Sequence, residues 1–155
     1  MDWTRTIDAP LEKVFSAVAS IDEFSKAIPD IKKVEFLTEQ TTGVGTRFIE
    51  TREMWGKEAA TELEVTEYVE NDRIRLVAES GYTLWDSLFT VEPAGEQTRL
   101  VLKMDATPLK FRARFLNLFM GTMIKKAIAQ DMDAVKVYCE RETSTESADT
   151  IEPES

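Results

Sequence analysis

Residues 98–141 read TRLVLKMDATPLKFRARFLNLFMGTMIKKAIAQDMDAVKVYCER, and the spacing of their apolar side chains changes at Pro108. Before Pro108, Leu100, Leu102 and Met104 are every second residue, which is typical of a strand with one covered face. After it, the residues that recur at helical spacing are Leu109, Ala113, Leu116, Met120, Ile124, Ala127, Val135 and Tyr138. The sequence therefore predicts a strand and then a helix over 109–141. Such a helix would be roughly 50 Å long, so we expect a bend or a break near Gly121.

The region before this pair has the pattern of a series of short strands. Alternating apolar residues between turn residues predict strands over 33–37, 46–55, 59–68, 73–79, 82–91 and 98–106. A strand over 3–7 comes first, followed by two short helices, of which the first begins at Pro10. Because short connections favour antiparallel neighbours, we predict an α+β domain. In it, a curved antiparallel sheet of about seven strands wraps around the long C-terminal helix.

Length and composition predict a single water-soluble domain. The chain has 155 residues, enough for one core and too few for two ordinary domains. No apolar run approaches the ~20 residues that a transmembrane helix needs, and the N-terminus turns polar at once, unlike a secretory signal. We therefore expect a cytoplasmic protein. Residues 142–155 are acidic and free of aromatics, so we predict a folded domain over 1–141 and a disordered tail after it.

Charge and the missing residue types exclude several functions. A net charge of −10 argues against nucleic acid as a partner, because phosphate binding needs an excess of Lys and Arg. The chain has no histidine and one cysteine, Cys139. An internal disulfide, a Ser-His or Cys-His nucleophile and the usual zinc or iron ligands are therefore excluded. We expect no metal and no cofactor, and any catalysis must rest on carboxylates, Tyr, Lys, Arg or hydroxyls.

Five stretches of the chain carry a family resemblance. They are Ile7-Asp-Ala-Pro10-Leu-Glu-Lys-Val-Phe15, Ile28-Pro-Asp-Ile31-Lys-Lys-Val34, Gly43-Val-Gly45-Thr-Arg-Phe48, and Leu88-Phe-Thr-Val-Glu-Pro93 with Thr98-Arg-Leu-Val-Leu102. In order and spacing they resemble the START-like or Bet v 1-like (SRPBCC) superfamily, particularly its polyketide cyclase/dehydrase branch, over residues 1–141. The resemblance implies the helix-grip fold, with a cavity between sheet and helix for lipids, polyketides or other apolar ligands. It implies no single activity and no universal catalytic residue.

The strand over 46–55 carries the polar candidates. We assign Phe48, Glu50, Arg52 and Met54 to its covered face. Burying either charge alone would cost several kcal/mol, so Glu50 and Arg52 are expected to pair with each other or with a ligand. In a functional interpretation Glu50 is an acid or base and Arg52 holds a polar end of the ligand. The alternatives are an ion pair near the rim of the pocket or a face assignment that is wrong by one residue.

The remaining candidates come from the other strands and the helix. We predict that the ligand also contacts Leu63, Leu76, Tyr82, Trp85, Ser87, Met104, Leu116, Met120, Met123 and Ile124. Hydroxyls among aromatics suit a mostly apolar pocket with a few orienting groups. Flexible methionines suit a cavity that adapts to its ligand, although gap-filling in an ordinary core explains them equally well. Phe89 and Val91 are better explained as sheet core.

A local excess of cations marks the first half of the helix. Residues 108–126 carry no acid and five cations: Lys110, Arg112, Arg114, Lys125 and Lys126. Neighbouring carboxylates from the sheet or tail are one explanation for their clustering. The other is a basic surface, flanked by aromatics, that contacts anionic lipid or an anionic ligand transiently through residues 110–126.

Three functions from different classes follow from these patterns. The leading hypothesis is a protein that binds or carries a small hydrophobic molecule, such as a lipid, polyketide or aromatic compound, in an internal pocket. The alternative is a cyclase- or dehydratase-like enzyme that works without metal or histidine, with Glu50, Arg52 and Tyr82 as catalytic candidates. The third is an interaction module whose basic helix half docks on a membrane or partner. A monomer and a homodimer are both compatible with the sequence.

Overall fold

The computed structural model describes the backbone of residues 1–150 and the side chains of residues 1–114 and 121–145. In chain order the elements are β1 (Asp2–Ile7), α1 (Leu11–Ala19), α2 (Ile21–Ala27), β2 (Ile31–Phe36), β3 (Arg47–Met54), β4 (Lys57–Val69), β5 (Arg73–Ser80), β6 (Thr83–Ala94), β7 (Gln97–Pro108) and α3 (Phe111–Thr150). Every element predicted from the sequence is present, and most boundaries differ by one to three residues.

The seven strands form one antiparallel sheet in the order β1-β7-β6-β5-β4-β3-β2. From β2 to β7 each strand pairs with the next one along the chain, so β2–β7 are a meander. β1 pairs with β7 from Asp2↔Lys103 to Ile7↔Thr98 and thereby joins the first strand of the chain to the last. This confirms the predicted helix-grip fold, with two short helices after the first strand and a long C-terminal helix.

The tightest core lies between α1, the β1–β7 edge of the sheet and the second half of α3. Ile7, Val14 and Leu100 are fully buried, and Met132 and Val135 of α3 are 1% exposed. Each such side chain contributes about 1.5–3 kcal/mol of transfer free energy to folding. Thr98, also buried, donates its hydroxyl to the Ala9 carbonyl at 2.8 Å, which ties the start of α1 to β7. These contacts anchor α3 by its second half.

Helix α3 differs from the prediction at both ends. It begins at Phe111 rather than at residue 109, and it continues without a break through Gly121 to Thr150. The helix therefore includes residues 142–150 of the stretch that we predicted to be a disordered tail; residues 151–155 of that stretch lie outside the described residues. The hydroxyls of Thr143 and Ser144 donate to carbonyls four residues earlier, so these polar side chains are compatible with the helix. The division into a ligand-binding domain over 1–141 and an acidic tail stays a prediction.

Two hairpin turns at one end of the sheet share a conformation that decides where two aromatic residues point. Trp55 and Gly56 join β3 to β4 with φ of 51° and 75°, and Gly81 and Tyr82 join β5 to β6 with φ of 59° each. Positive φ at both central residues is the pattern of a type I′ hairpin turn. The alternation of the strands ends at these turns, and both aromatic side chains are exposed, Trp55 at 68% and Tyr82 at 56%.

Candidate functional site

A cavity lies between the concave face of the sheet and α3, beyond the tight core. It has an inner part of about 130 Å³ and an outer, more open part of about 340 Å³. Both parts are lined by Glu50, Arg52, Leu63, Leu76, Ser87, Met104, Ile128 and Asp131. The inner part continues to aromatic and aliphatic side chains, including Phe24, Phe48 and Phe89. The outer part opens past Trp55 and Trp85.

Strand alternation places the charged residues inside this cavity. Phe48 is 3% exposed and Glu50 is 8% exposed, so this set of β3 side chains faces inward, as predicted. The possibility that the face assignment was wrong by one residue is thereby excluded. Arg52 follows two residues later on the same face, where the side chains of β3 meet the middle of α3.

Three charged side chains meet at the junction of the two parts. Arg52 donates from Nε to Glu50 Oε1 at 2.5 Å and from Nη1 to Asp131 Oδ2 at 2.7 Å. The side chains of Glu50, Arg52 and Asp131 are 10%, 22% and 18% exposed. We call these three residues the charged cluster. With both carboxylates ionised, the charged cluster has a net charge of −1 within mostly apolar walls.

Burial and the neighbouring opposite charges shift the pKa values of Arg52 and Asp131 in opposite directions. Burial alone would lower the pKa of the Arg52 guanidinium, but Glu50 and Asp131 outweigh it and hold that pKa above its ordinary value. Burial raises the pKa of the Asp131 carboxyl; Arg52 opposes the rise, while the charges of Glu50 and Asp30 add to it. The guanidinium is therefore fixed in its charged form. Asp131 is the carboxylate whose ionised form is less well stabilised than in water.

Ten of the predicted ligand-binding residues line the cavity. They are Phe48, Glu50, Arg52, Met54, Leu63, Leu76, Trp85, Ser87, Met104 and Ile124. Their contact with a ligand stays a prediction. The side chains of Leu116 and Met120 lie outside the described residues.

Tyr82 and Met123 lie elsewhere, and both corrections have a physical cause. Tyr82 occupies the β5–β6 turn rather than the strand, and its ring packs under Lys110, whose Nζ is 4.0 Å from the ring centroid. Tyr82 is 56% exposed and is not among the described residues that line the cavity with Glu50. Met123 is 45% exposed, because the first half of α3 turns this side chain away from the sheet. Met123 instead lines a separate surface hollow together with Trp55.

Asp131 is the site residue that sequence reasoning missed. The predicted apolar stripe of α3 passes from Ala127 to Val135, and the position between them at helical spacing is Asp131. A carboxylate inside an apolar stripe needs a partner when it is buried. That signal was present in the sequence, but the partner is Arg52, 79 residues earlier, which no local pattern indicates.

The outer part of the cavity opens beside a surface of exposed apolar side chains, which we call the mouth surface. Its members are Trp55, Tyr82, Leu109, Phe111 and Met123, and each is at least 45% exposed. The Leu109 amide donates to the Tyr82 carbonyl at 2.7 Å, which joins the start of α3 to the β5–β6 turn. Among the described residues, none of the cations in 110–126 lies within ion-pair distance of a carboxylate.

Within the described part of the chain, no helix has the length and apolar character needed to cross a membrane.

Comparison with known proteins gives one family match. The sequence model of the family described as polyketide cyclase/dehydrase and lipid transport matches residues 1–140. This range contains the whole sheet, both short helices and the part of α3 that lines the cavity. A search of curated proteins found no match.

Several solved structures share the fold at low sequence identity. A protein from Thermus thermophilus is 18% identical with a TM-score of 0.71, and the match covers 95% of this chain and 98% of that one. A START superfamily protein from Mycobacterium smegmatis is also 18% identical, with a TM-score of 0.67 and coverage of 94% and 97%. The di-domain ARO/CYC protein StfQ from the steffimycin biosynthetic pathway is 14% identical with a TM-score of 0.73, covering 93% of this chain and 46% of that one. At these identities the similarity is one of fold.

Proposed function

The chain belongs to the polyketide cyclase/dehydrase and lipid transport family, in the START-like/Bet v 1-like superfamily, and from that premise we propose that it binds and carries a small hydrophobic molecule. The molecule occupies the cavity between the sheet and α3. The observation that supports this most is an apolar hollow lined from both sides of the fold, with polar groups confined to one cluster and a few hydroxyls. Such a combination is typical of a ligand pocket.

The size of the cavity argues against a packing defect. Protein interiors are close-packed, and voids larger than a water molecule are few. The outer part alone, at about 340 Å³, is within the range of small-molecule pockets. Leaving apolar walls without contacts forfeits dispersion energy, so a ligand that fills the space would stabilise the folded chain.

Two measurements test the carrier function. Native mass spectrometry of gently purified protein is expected to find a bound small molecule, and a hydrophobic fluorescent dye is expected to bind to the emptied protein. Leu76→Trp should fill the junction of the two parts and weaken dye binding at least tenfold. The next residue of β5, Val77, lies on the other face of the sheet, so Val77→Trp is the matched control and should leave binding unchanged. A protein that carries no ligand and takes up no dye would refute the proposal.

Loading of the cavity at an anionic bilayer is part of the proposal. The mouth surface presents five large apolar side chains, which a membrane interface accommodates, beside a group of cations in a chain whose overall charge is −10. Anionic headgroups complement these cations better than they complement the acidic remainder of the chain. Residues 110–126 and the two hairpin turns would then contact lipid while the ligand passes through the open outer part.

Vesicle binding tests the membrane contact. Sedimentation with vesicles of phosphatidylglycerol and phosphatidylcholine at low salt is expected to capture the protein, and pure phosphatidylcholine vesicles should capture much less. The double variant Lys125→Glu/Lys126→Glu should abolish capture. Arg99→Glu/Lys103→Glu makes the same change in net charge on β7, where Arg99 pairs with Glu92 at the end of the strand opposite to Pro108, and should reduce capture only slightly. Equal losses for the two variants would show that overall charge, and not this surface, controls binding.

A second candidate function is catalysis in the same cavity, and the charged cluster is the observation that favours it. Glu50 and Asp131 are carboxylates at the wall of an apolar space, where an acid or a base acts most effectively on a bound polyketide. Glu50→Gln would then abolish turnover and leave ligand affinity nearly unchanged. Tyr82, the third candidate, does not line the cavity, so the proposal rests on the charged cluster. Persistence of turnover in the Gln variant would exclude Glu50 from the chemistry.

A further inference from the structure

We infer that the ligand presents to the charged cluster a polar end that donates hydrogen bonds and carries no negative charge, as an alcohol, phenol or amine does. The inference rests on the proposed carrier function and adds the chemical class of the ligand. It excludes carboxylates, including fatty acids, as the preferred cargo.

The charge of the cluster is the first support. Among the described residues that line the cavity, Arg52 is the only cation, and it already contacts both Glu50 and Asp131. A ligand carboxylate placed at this point would be the third negative charge around one guanidinium, in a site that is largely shielded from water. Like charges at such distances repel strongly when solvent is excluded.

The unfilled hydrogen-bond acceptors are the second support. Each carboxylate uses one oxygen for Arg52: Oε1 of Glu50 and Oδ2 of Asp131. The hydrogen bonds of the described residues include none to the other oxygens, Oε2 of Glu50 and Oδ1 of Asp131, and none of the buried side-chain polar atoms of these residues lacks a partner, so both oxygens are open to the space of the cavity. An acceptor within mostly apolar walls is best satisfied by a donor. A hydroxyl or ammonium at the junction of the two cavity parts would supply that donor.

The apolar walls are the third support, because they separate this site from an ordinary cluster of surface acids. Leu63, Leu76 and Met104 line both parts of the cavity around the charged cluster. The body of the ligand therefore contacts aliphatic side chains while its polar end is held at one point. Orientation comes from the cluster, and most of the contact area comes from the walls.

Three matched probes test the inference: decanol, decylamine and decanoate, which differ only in the polar end. Each is titrated against protein loaded with the neutral dye N-phenyl-1-naphthylamine at pH 7.5, and displacement gives the affinity. Decanol and decylamine are expected to bind at least tenfold more tightly than decanoate. If decanoate binds as tightly as the other two, the inference is overturned and the carrier function stands. If the dye binds and no probe displaces it, the inference alone is overturned; if the dye itself does not bind, the carrier function fails, and the inference with it.

A pair of variants tests whether the preference for decylamine over decanoate arises from the charged cluster. Asp131→Asn keeps the shape of the side chain and leaves Glu50 and Arg52 as a pair with no net charge. The difference in affinity between decylamine and decanoate should therefore shrink to less than threefold. Asp133→Asn is the matched control on the same helix, because Asp133 is 63% exposed and pairs with Arg5 outside the cavity. The Asp133 variant should preserve the full difference in affinity. If the difference in affinity between decylamine and decanoate is unchanged in the Asp131 variant, with circular dichroism confirming the fold, the inference is overturned.

Discussion

Replacing Arg52 by Met tests whether the charged cluster is electrostatically coupled. The change removes the shared partner of Glu50 and Asp131 while keeping an aliphatic stem of similar length. Removing one member of a buried ion pair typically costs about 3–5 kcal/mol of unfolding free energy, because a charge is left without compensation. Here all three side chains retain some exposure, from 10% to 22%, so solvent screens part of the loss. We expect a cost of about 3 kcal/mol at pH 7.5.

The pH dependence of this loss has a definite sign. Without Arg52, nothing opposes the effect of burial on the pKa of Asp131, which is already raised in the native protein. A carboxyl whose folded pKa exceeds its unfolded value takes up a proton in the folded state first, so folding is favoured as the pH falls. The cost of Arg52→Met should therefore shrink by about half between pH 7.5 and pH 4.

Urea denaturation at the two pH values measures both effects, and Arg99→Met is the control. Arg99 pairs with Glu92 at 3.3 Å on the surface, where the two side chains are 48% and 55% exposed, and such pairs contribute about 0–1 kcal/mol. For a domain of this size, about 3 kcal/mol corresponds to a decrease in Tm of roughly 6–12 °C. If Arg52→Met costs no more than the control, or if its cost does not depend on pH, the coupling argument is wrong.

Three further predictions concern single side chains. Asp131→Asn should raise Tm at pH 7, because burial disfavours the ionised carboxylate, and calorimetry should find that the gain disappears as the pH falls through the pKa of Asp131. Thr98→Val removes the donor to the Ala9 carbonyl and should cost about 1–2 kcal/mol in urea denaturation, whereas Thr90→Val, which removes no described hydrogen bond, should cost little. Burial raises the pKa of the Cys139 thiol to about 12, so maleimide should label it far more slowly in folded than in urea-unfolded protein; equal rates would contradict this.

The fold was predictable because the sequence patterns that determine it lie within single strands, turns and helices. Alternation along each strand, turn residues between strands and one long helical stripe determine a meander closed by a helix. The same alternation placed Phe48, Glu50 and Arg52 on the covered face, because shifting a strand by one residue exchanges its faces completely. The structure agrees with that assignment.

The site was only partly predictable because its geometry depends on contacts between distant parts of the chain. The pairing of Arg52 with Asp131 joins β3 to α3, and no sequence period connects them. Tyr82 was misplaced for a different reason: it was predicted as the first residue of a strand, but positive φ at Gly81 and Tyr82 places it in the turn before β6. Turns and long-range pairs are places where local patterns carry little information.

The charged cluster is more easily explained by ligand binding than by stability. Buried ion pairs are weak contributors to folding, since the cost of removing the charges from water offsets most of their attraction, and well-packed apolar residues often do as well. In this cavity the attraction between the charges offsets even less of the cost of removing them from water, because two carboxylates share one guanidinium and burial raises the pKa of Asp131. A wall that served only to close the core could be entirely apolar, as the neighbouring side chains Leu63, Leu76 and Met104 are. An excess of acceptors at the centre of that wall is useful to the protein when a ligand supplies the donor.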